Sequence, residues 1–336
     1  MKLNNSTKAG PAQRKIAAPT VMPNIQEILA ATDFSDESRV EVRYALALAE
    51  KLSAAVTLLD VIEPLSRMAG MEAVPIASDD SELNVLAGGH LKRLAERANK
   101  SDLRLTICLR NGIPFHEITA AARDSAADLI VIATHGFTGT ERVRLGSTAE
   151  EVVSHASCPV LTVHTPTTSG RIGKTPPLKL RKILIPIDFS NIPKDALPWA
   201  TFLAAQFGAE IILLHVTKKF PIDYLLGRKL MNETIVPSMK QAEAALERMA
   251  ASLSKSTGVN ASAVVRDGAP VEEICHVAKT LGADLIVLTA HGYAGLKHVW
   301  LGSTAERIAR HAPCPVLFVR ERESITGARV EKSGQP

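Results

Sequence analysis

Cysteine is scarce in this chain: four residues in 336, too few and too scattered to staple a fold. Cys108, Cys158, Cys275 and Cys314 contain no CxxC pair and no metal-ligand spacing. Cys158 and Cys314 each precede a proline at the entry to an apolar run, where a free thiol acts as a small buried hydrophobe. Reduced thiols and a cytoplasmic setting are the expectation. No stretch approaches the roughly 18 apolar residues of a membrane span, and the N-terminus has no apolar core of a secretory leader. Aromatics make up only 4% and charged residues 22%, with a net charge of +4. Part of the basic excess lies at Lys2, Lys8, Arg14 and Lys15, and no concentrated basic run appears, so no nucleic-acid surface is expected. His116-Glu117 lacks the second histidine of a zinc helix, and no nucleophile elbow or triad is visible. His155 with Cys158, mirrored by His311 with Cys314, has no further ligands nearby, so structural placement is favoured over metal. Neither GxxxxGK[ST] nor a GxGxxG after the first strand is present.

What the chain has is a repeat. Ala127 to Val163 returns as Ala283 to Val319, 156 residues later, with 22 of 37 positions identical and no gap. Each copy opens on an apolar run, Leu129-Ile130-Val131-Ile132 or Leu285-Ile286-Val287-Leu288, suited to a strand buried on both faces. A glycine-bearing loop follows, Thr134 to Gly139 or Ala290 to Gly295. Then comes Leu-Gly-Ser-Thr-Ala-Glu, at Leu145 to Glu150 and Leu301 to Glu306. Ser147 with Glu150, and Ser303 with Glu306, have the spacing of a capping box that opens a helix. Each copy ends on Cys-Pro-Val-Leu, another buried strand.

The flanking sequence has the same order in both halves. Residues 1–22 read as a flexible tail. Residues 23–165 form a first domain, with strands ending at Asp33-Phe34-Ser35, at Val56 to Val61 and at Leu103 to Leu109. A long excursion from Glu63 to about Asp80 and a helix from about Ser81 to Lys100 lie between the last two. Residues 166–179 are a linker rich in Thr, Pro, Gly and Lys, and 180–321 form a second domain. There, strands are expected at Lys182 to Asp188, Glu210 to Val216 and Ala261 to Arg266, with an excursion from Phe220 to Pro237. Residues 322–336 are a loose tail. Strands alternating with helices argue for a doubly wound α/β domain, twice over.

Strand, glycine loop and helix N-terminus is an arrangement that binds phosphate, because glycine lets the backbone approach an anion and the first helical amides point at it. Arg142 and Arg144, or Lys297 and His298, add positive charge. The same features also serve plain helix initiation, and the two readings stand side by side on local pattern alone.

The segment resembles the signature of the universal stress protein family, G-x2-G-x9-G-[ST]. Here it reads Ala133-x2-Gly136-x9-Gly146-Ser147 and Thr289-x2-Gly292-x9-Gly302-Ser303. The nine-residue spacing and the Gly-Ser are kept in both halves, and the first glycine is replaced by Ala133 or by the β-branched Thr289. The likeness extends to the strand-end Asp-Phe-Ser, the Gly-x-Pro turn and the Cys-Pro-Val-Leu strand. It implies two tandem Rossmann-like domains of the adenine nucleotide alpha hydrolase-like kind, each a five-stranded parallel sheet in order 3-2-1-4-5. Ligands of such sheets bind where strands 1 and 4 part their crossovers.

By the same resemblance, the base would be held by Ala31, Thr32, Asp33 and Val61, and by Pro186, Ile187, Asp188 and Val216. Ribose and phosphates would fall to Ala133, His135, Gly136, Gly146, Ser147 and Thr148, and to Thr289, His291, Gly292, Gly302, Ser303 and Thr304. The alternative for each aspartate is N-capping of the following helix. The ligand implied is ATP or a related adenine nucleotide, with Mg2+ left open as its companion. The family also implies pairing through the last strand, so Pro159 to Val163 is expected to pair with Pro315 to Val319 as an intramolecular pseudo-dimer, with a further homo-oligomer left open.

Three readings follow. The first is a nucleotide-binding regulatory protein of the stress-response type. The second is an interaction protein of the same fold without nucleotide. The third is a slow ATPase, disfavoured because no placed general base or metal-binding carboxylate pair is visible. If the halves differ, the one with Ala133 is expected to bind better than the one with Thr289.

Overall fold

In the computed structural model the described residues are 23–33, 38–63, 89, 103–134, 146–163, 178–189, 195–217, 239–289 and 302–319. Both tails, most of the linker, both excursions and nearly all of the expected 81–100 helix lie outside them.

The first half is built from β1 (Glu27–Ala31), α1 (Ser38–Leu52), β2 (Ala55–Ile62), β3 (Leu105–Asn111), α2 (Pro114–Asp124), β4 (Leu129–Ala133), α3 (Ser147–His155) and β5 (Val160–Val163). The second follows with β6 (Lys182–Pro186), α4 (Ala196–Phe207), β7 (Glu210–Thr217), α5 (Met239–Thr257), β8 (Ala261–Asp267), α6 (Pro270–Leu281), β9 (Leu285–Thr289), α7 (Ser303–His311) and β10 (Val316–Val319). The third strand of the first half starts and ends two residues later than its apolar run suggests, taking in Arg110 and Asn111. Both Gly-x-Pro turns open a helix with proline in the first turn, where its missing N–H costs nothing.

The ten strands of the described residues form one sheet in the order β3-β2-β1-β4-β5-β10-β9-β6-β7-β8. Within each half the order is 3-2-1-4-5 and the pairing is parallel. At the centre β5 and β10 run antiparallel, with Leu161 opposite Leu317, Thr162 opposite Val316 and Val160 opposite Phe318. Each strand thereby covers the open hydrogen bonds of the other's edge. The unalternated runs are buried on both faces, as parallel strands under helices must be. One core lies between the sheet and α1, α4 and α5. The other lies beneath α2, α3, α6 and α7.

The aspartate that begins each repeat ties neighbouring strands together. An oxygen of Asp128 accepts from the amides of Gln26 and Glu27 at 2.7 and 3.1 Å. Asp284 accepts from those of Arg181 and Lys182 at 2.8 and 3.0 Å. These bonds hold β1 against β4, and β6 against β9, at the end opposite the candidate site.

The halves differ in local strain. After α6 the chain turns through Gly282 with φ 64°, while the matching position after α2 is Ala126 with φ 51°. A Cβ in that left-handed region crowds the following carbonyl, at a cost of roughly 1–2 kcal/mol. Ala126→Gly is therefore expected to stabilise the chain by up to about 1 kcal/mol, since glycine's greater unfolded-state entropy offsets part of the relief. A raised urea midpoint at unchanged slope checks it.

Candidate functional site

The order 3-2-1-4-5 places the parting of crossovers between β1 and β4, and between β6 and β9. At the first parting the two strands stay in register to their ends, Ala31 against Ile132. Beyond β1 the buried Thr32 donates its amide to the Leu59 carbonyl at 2.8 Å, which leaves Asp33 exposed at the strand end. Val61 is half-buried on neighbouring β2. Ala133 ends β4 half-buried, and the amide of buried Thr134 is held by the Val163 carbonyl at 3.0 Å.

The loop that follows is closed at its base. Gly146 donates its amide to the Thr134 carbonyl at 2.7 Å, so the chain leaves β4 and returns to the same point before α3. His135 and Gly136 lie within that loop, outside the described residues, as do Arg142, Arg144, His291 and Gly292.

The expected capping boxes are not formed. Gly146 and Gly302 are the N-caps of α3 and α7, and neither helix has a side-chain cap. Ser147 and Ser303 are already the first helical residues, one position too late to cap. The tie of Gly146 to Thr134 fixes that glycine as the last extended residue. The first helical bonds run from Glu150 to Gly146 at 3.0 Å and from Glu306 to Gly302 at 2.9 Å. The amides of Ser147 and Thr148, and of Ser303 and Thr304, thus precede the helical ladder and point out of the helix end. Both glycines have ordinary extended geometry, φ −59° with ψ 142° and φ −57° with ψ 139°, which any residue adopts. Backbone conformation therefore does not require glycine at either position.

The second crevice opens earlier. β6 and β9 pair at Ile183 with Leu285 and at Leu184 with Ile286, and no further. Pro186 has no amide to donate, which ends that ladder short of the strand tip. Ile187 is buried, its amide on the Leu214 carbonyl at 2.7 Å, and Asp188 is exposed beyond it. Val216 on β7 and Thr289 at the end of β9 are half-buried. Asp195 occupies the N-cap position of α4 without a side-chain cap, and α1 is described from Ser38 onward.

Two further residues belong to this region. Asp60, one residue before Val61, is 8% exposed, and burial pushes its carboxyl up to about 6; the Val61 backbone opposes this and nearby Asp33 adds to it. The matching residue of the second half is His215, whose Nδ1 lies 2.8 Å from the Ile187 carbonyl and whose ring packs on Phe189. Glu41 is 1% exposed, and neither of its oxygens has a hydrogen-bond partner among the described residues. Burial drives its carboxyl well above the usual carboxylate range, and Asp33 pushes the same way. The Ala133 backbone opposes the shift from a geometry too poor for a full hydrogen bond. A signal for Glu41 exists in the sequence. It heads the helical stripe Glu41, Ala45, Leu48, Ala49 and Leu52, a charge where the period demands an apolar residue.

Cys158, Cys314 and His155 are accounted for elsewhere. Cys158 and Cys314 are buried beneath α3 and α7, and burial pushes both thiols up to about 12, far from the thiolate that reacts or binds metal. His155 is engaged by Glu151 of its own helix, with Nδ1 2.9 Å from the carbonyl. Among the described residues no helix is long and apolar enough to cross a membrane.

The profile of the universal stress protein family matches residues 24–164 and again residues 179–320. The chain belongs to that family. A universal stress protein of Methanocaldococcus jannaschii is 35% identical over 144 residues, covering 42% of this chain and 82% of its own. One from Mycolicibacterium smegmatis is 26% identical over 304 residues, covering 88% of this chain and 97% of its own. The crystal structure of a universal stress protein from Archaeoglobus fulgidus superposes on 89% of this chain and 98% of its own, with a TM-score of 0.63 at 20% identity, a likeness of fold. The tandem α/β architecture is thus that of universal stress proteins, and the repeat is two copies of the family's domain.

Proposed function

We propose that this universal stress protein binds ATP or a related adenine nucleotide at the carboxyl ends of its strands, as a regulatory protein and not a dedicated catalyst. The observation that carries the reading is the closed strand–loop–helix base in which Gly146 ties to Thr134 and leaves α3 uncapped. A side chain at Gly146 would stand beside the amides that an anion needs. Natural helices meet those amides with a capping side chain, and here the strongest capping types are set one residue too far on. One universal stress protein has been solved in complex with cAMP; the assignment for this chain rests on its own residues.

In this reading Ala31, Thr32, Asp33 and Val61 hold the base in the first half. Asp33 accepts from the exocyclic amine, and the amides of Ser147 and Thr148, with the loop of His135 and Gly136, take the phosphates. Pro186, Ile187, Asp188, Val216, Thr289, His291, Gly292, Gly302, Ser303 and Thr304 do the same in the second. Thr289 and the early parting at Pro186 make the second half the weaker site. The β5–β10 seam makes the two halves one unit, an intramolecular pseudo-dimer.

Calorimetric titration of nucleotide-stripped protein with ATP tests this. The parent should bind at two sites, and Gly146→Val and Gly302→Val should each remove one, weakening it by at least about tenfold through loss of close approach. ATP incubated with the protein and Mg2+ should stay intact over many hours. Absence of heat, with no nucleotide carried through purification, would leave a scaffold that kept its loop for folding alone.

A further inference from the structure

We propose that Glu41 sets the two crevices apart: it couples anion binding in the first half to uptake of a proton, a contribution without counterpart at the same place in the second half, where Ala196 stands. The inference rests on the nucleotide-binding reading and adds to it a difference between the halves.

The two positions correspond when Asp33-Phe34-Ser35 is laid on Asp188-Phe189-Ser190. Ala196 is wholly buried, as a small residue under a helix should be. Glu41 occupies the same place with a carboxyl that is 1% exposed and has no hydrogen-bond partner among the described residues. Its neighbours are the Ala133 backbone, at the end of β4, and Asp33, just past β1. The carboxyl thus lies under the point where β1 and β4 part their crossovers, beneath the floor of the candidate site.

Among the described residues no cation is placed against it. The elements packed against α1 are β1, β2, β4 and β5. Near their carboxyl ends the titratable side chains are Asp33, Asp60 and Glu63, all acidic; β4 and β5 carry none. Glu27 and Asp128 lie at the opposite end of the sheet. On α1 itself Arg43 is two residues away, a spacing that turns it to another side of the helix. Tyr44 is held by burial and lies toward Cys314 and Asp284 of the other half.

An acid so placed resists ionisation because burial withdraws solvent from the anion. A nucleotide with its base on Asp33 and its phosphates on the α3 N-terminus brings negative charge into the crevice above Glu41 and displaces water from it. Both effects strengthen the hold of Glu41 on its proton. Binding and protonation therefore favour each other, by the same factor in each direction. At most one proton moves from buffer to a Glu41 oxygen as the anion docks, and no bond to the ligand forms or breaks. At the corresponding place in the second half Ala196 carries only a methyl group, and His215 stands there in place of Asp60.

The test uses the full chain. Gly302→Val leaves the first site, and Gly146→Val leaves the second. ATP is titrated between about pH 6 and pH 8.5 in buffers of differing ionisation enthalpy, which reads the protons taken up per ATP bound. The first site should take up more protons than the second, with Kd rising by up to about tenfold per pH unit relative to it. The second site serves as the control for the titration of ATP itself. Adding Glu41→Gln, which keeps the shape and removes the ionisation, should leave binding intact and lower proton uptake at the first site; Asp60 and His215 are common to both proteins and cancel in that comparison. Proton uptake at the first site unchanged by Glu41→Gln would overturn the inference while leaving nucleotide binding standing. Absence of heat at either site would remove the nucleotide reading and this inference with it.

Discussion

Phe318→Ala is expected to destabilise the chain by about 3–5 kcal/mol, the usual cost of emptying an aromatic site in a packed core. Phe318 is among the largest fully buried side chains and lies opposite Val160 at the β5–β10 seam. Its counterpart in the other half is Thr162, fully buried, whose hydroxyl donates to the Val316 carbonyl at 3.3 Å. In the antiparallel register the two sit diagonally on one face, an aromatic ring beside a small polar residue. Two copies of either would not fill the same space. Thr162→Phe would overpack the seam at a cost of about 1–3 kcal/mol. Phe318→Thr would leave a void, so the seam fits one half to the other and not to itself. Each of the two cores draws buried residues from both halves, so unfolding of the variant should remain one transition. Urea titration should show the midpoint falling at unchanged slope. A loss below about 1 kcal/mol would mean that the seam is not packed as described.

Glu41→Gln should change how stability depends on pH. A carboxyl whose folded-state pKa is raised contributes fully below its unfolded value, and that contribution is lost as pH rises through the folded value. Asp60 loses its share between the usual aspartate range and about 6. Glu41, driven up by burial first and by Asp33 second, continues the loss from the ordinary glutamate range upward. Each group contributes a slope of at most about 1.4 kcal/mol per pH unit. Parent and Glu41→Gln should therefore match in stability near pH 4 and diverge above about pH 5, with the variant more stable. The remaining titrating groups are common to both proteins and cancel in the difference. Parallel stability curves across that range would show that Glu41 finds a compensating partner in solution.

Much of the architecture is legible in the residues. The runs Leu129 to Ile132 and Leu285 to Leu288 carry no polar alternation and form strands buried on both faces. Pro114 and Pro270 mark helix starts. Other features are not legible, for identifiable reasons. The spacing of Ser147 and Glu150 is that of a capping box, yet the hydrogen bond from Gly146 to Thr134, across a loop, shifts the cap by one residue. The ladder between β6 and β9 ends early because Pro186 falls where β9 would need a donor, a coincidence of register that no local pattern records.

By itself the sequence determined that the molecule is one α/β unit made twice and the order in which its strands and helices follow one another. Periodicity and turn chemistry are local, and a chain carries them wherever it goes. Only the tertiary structure decided that Glu41 is sealed beneath the junction of β1 and β4 while Ala196 fills the same place in the other half. It alone decided that Thr162 and Phe318 complement each other across one continuous sheet. The physical reason is the same in both cases: the energy of a buried carboxyl or ring depends on what lies against it, and those neighbours arrive from distant parts of the chain.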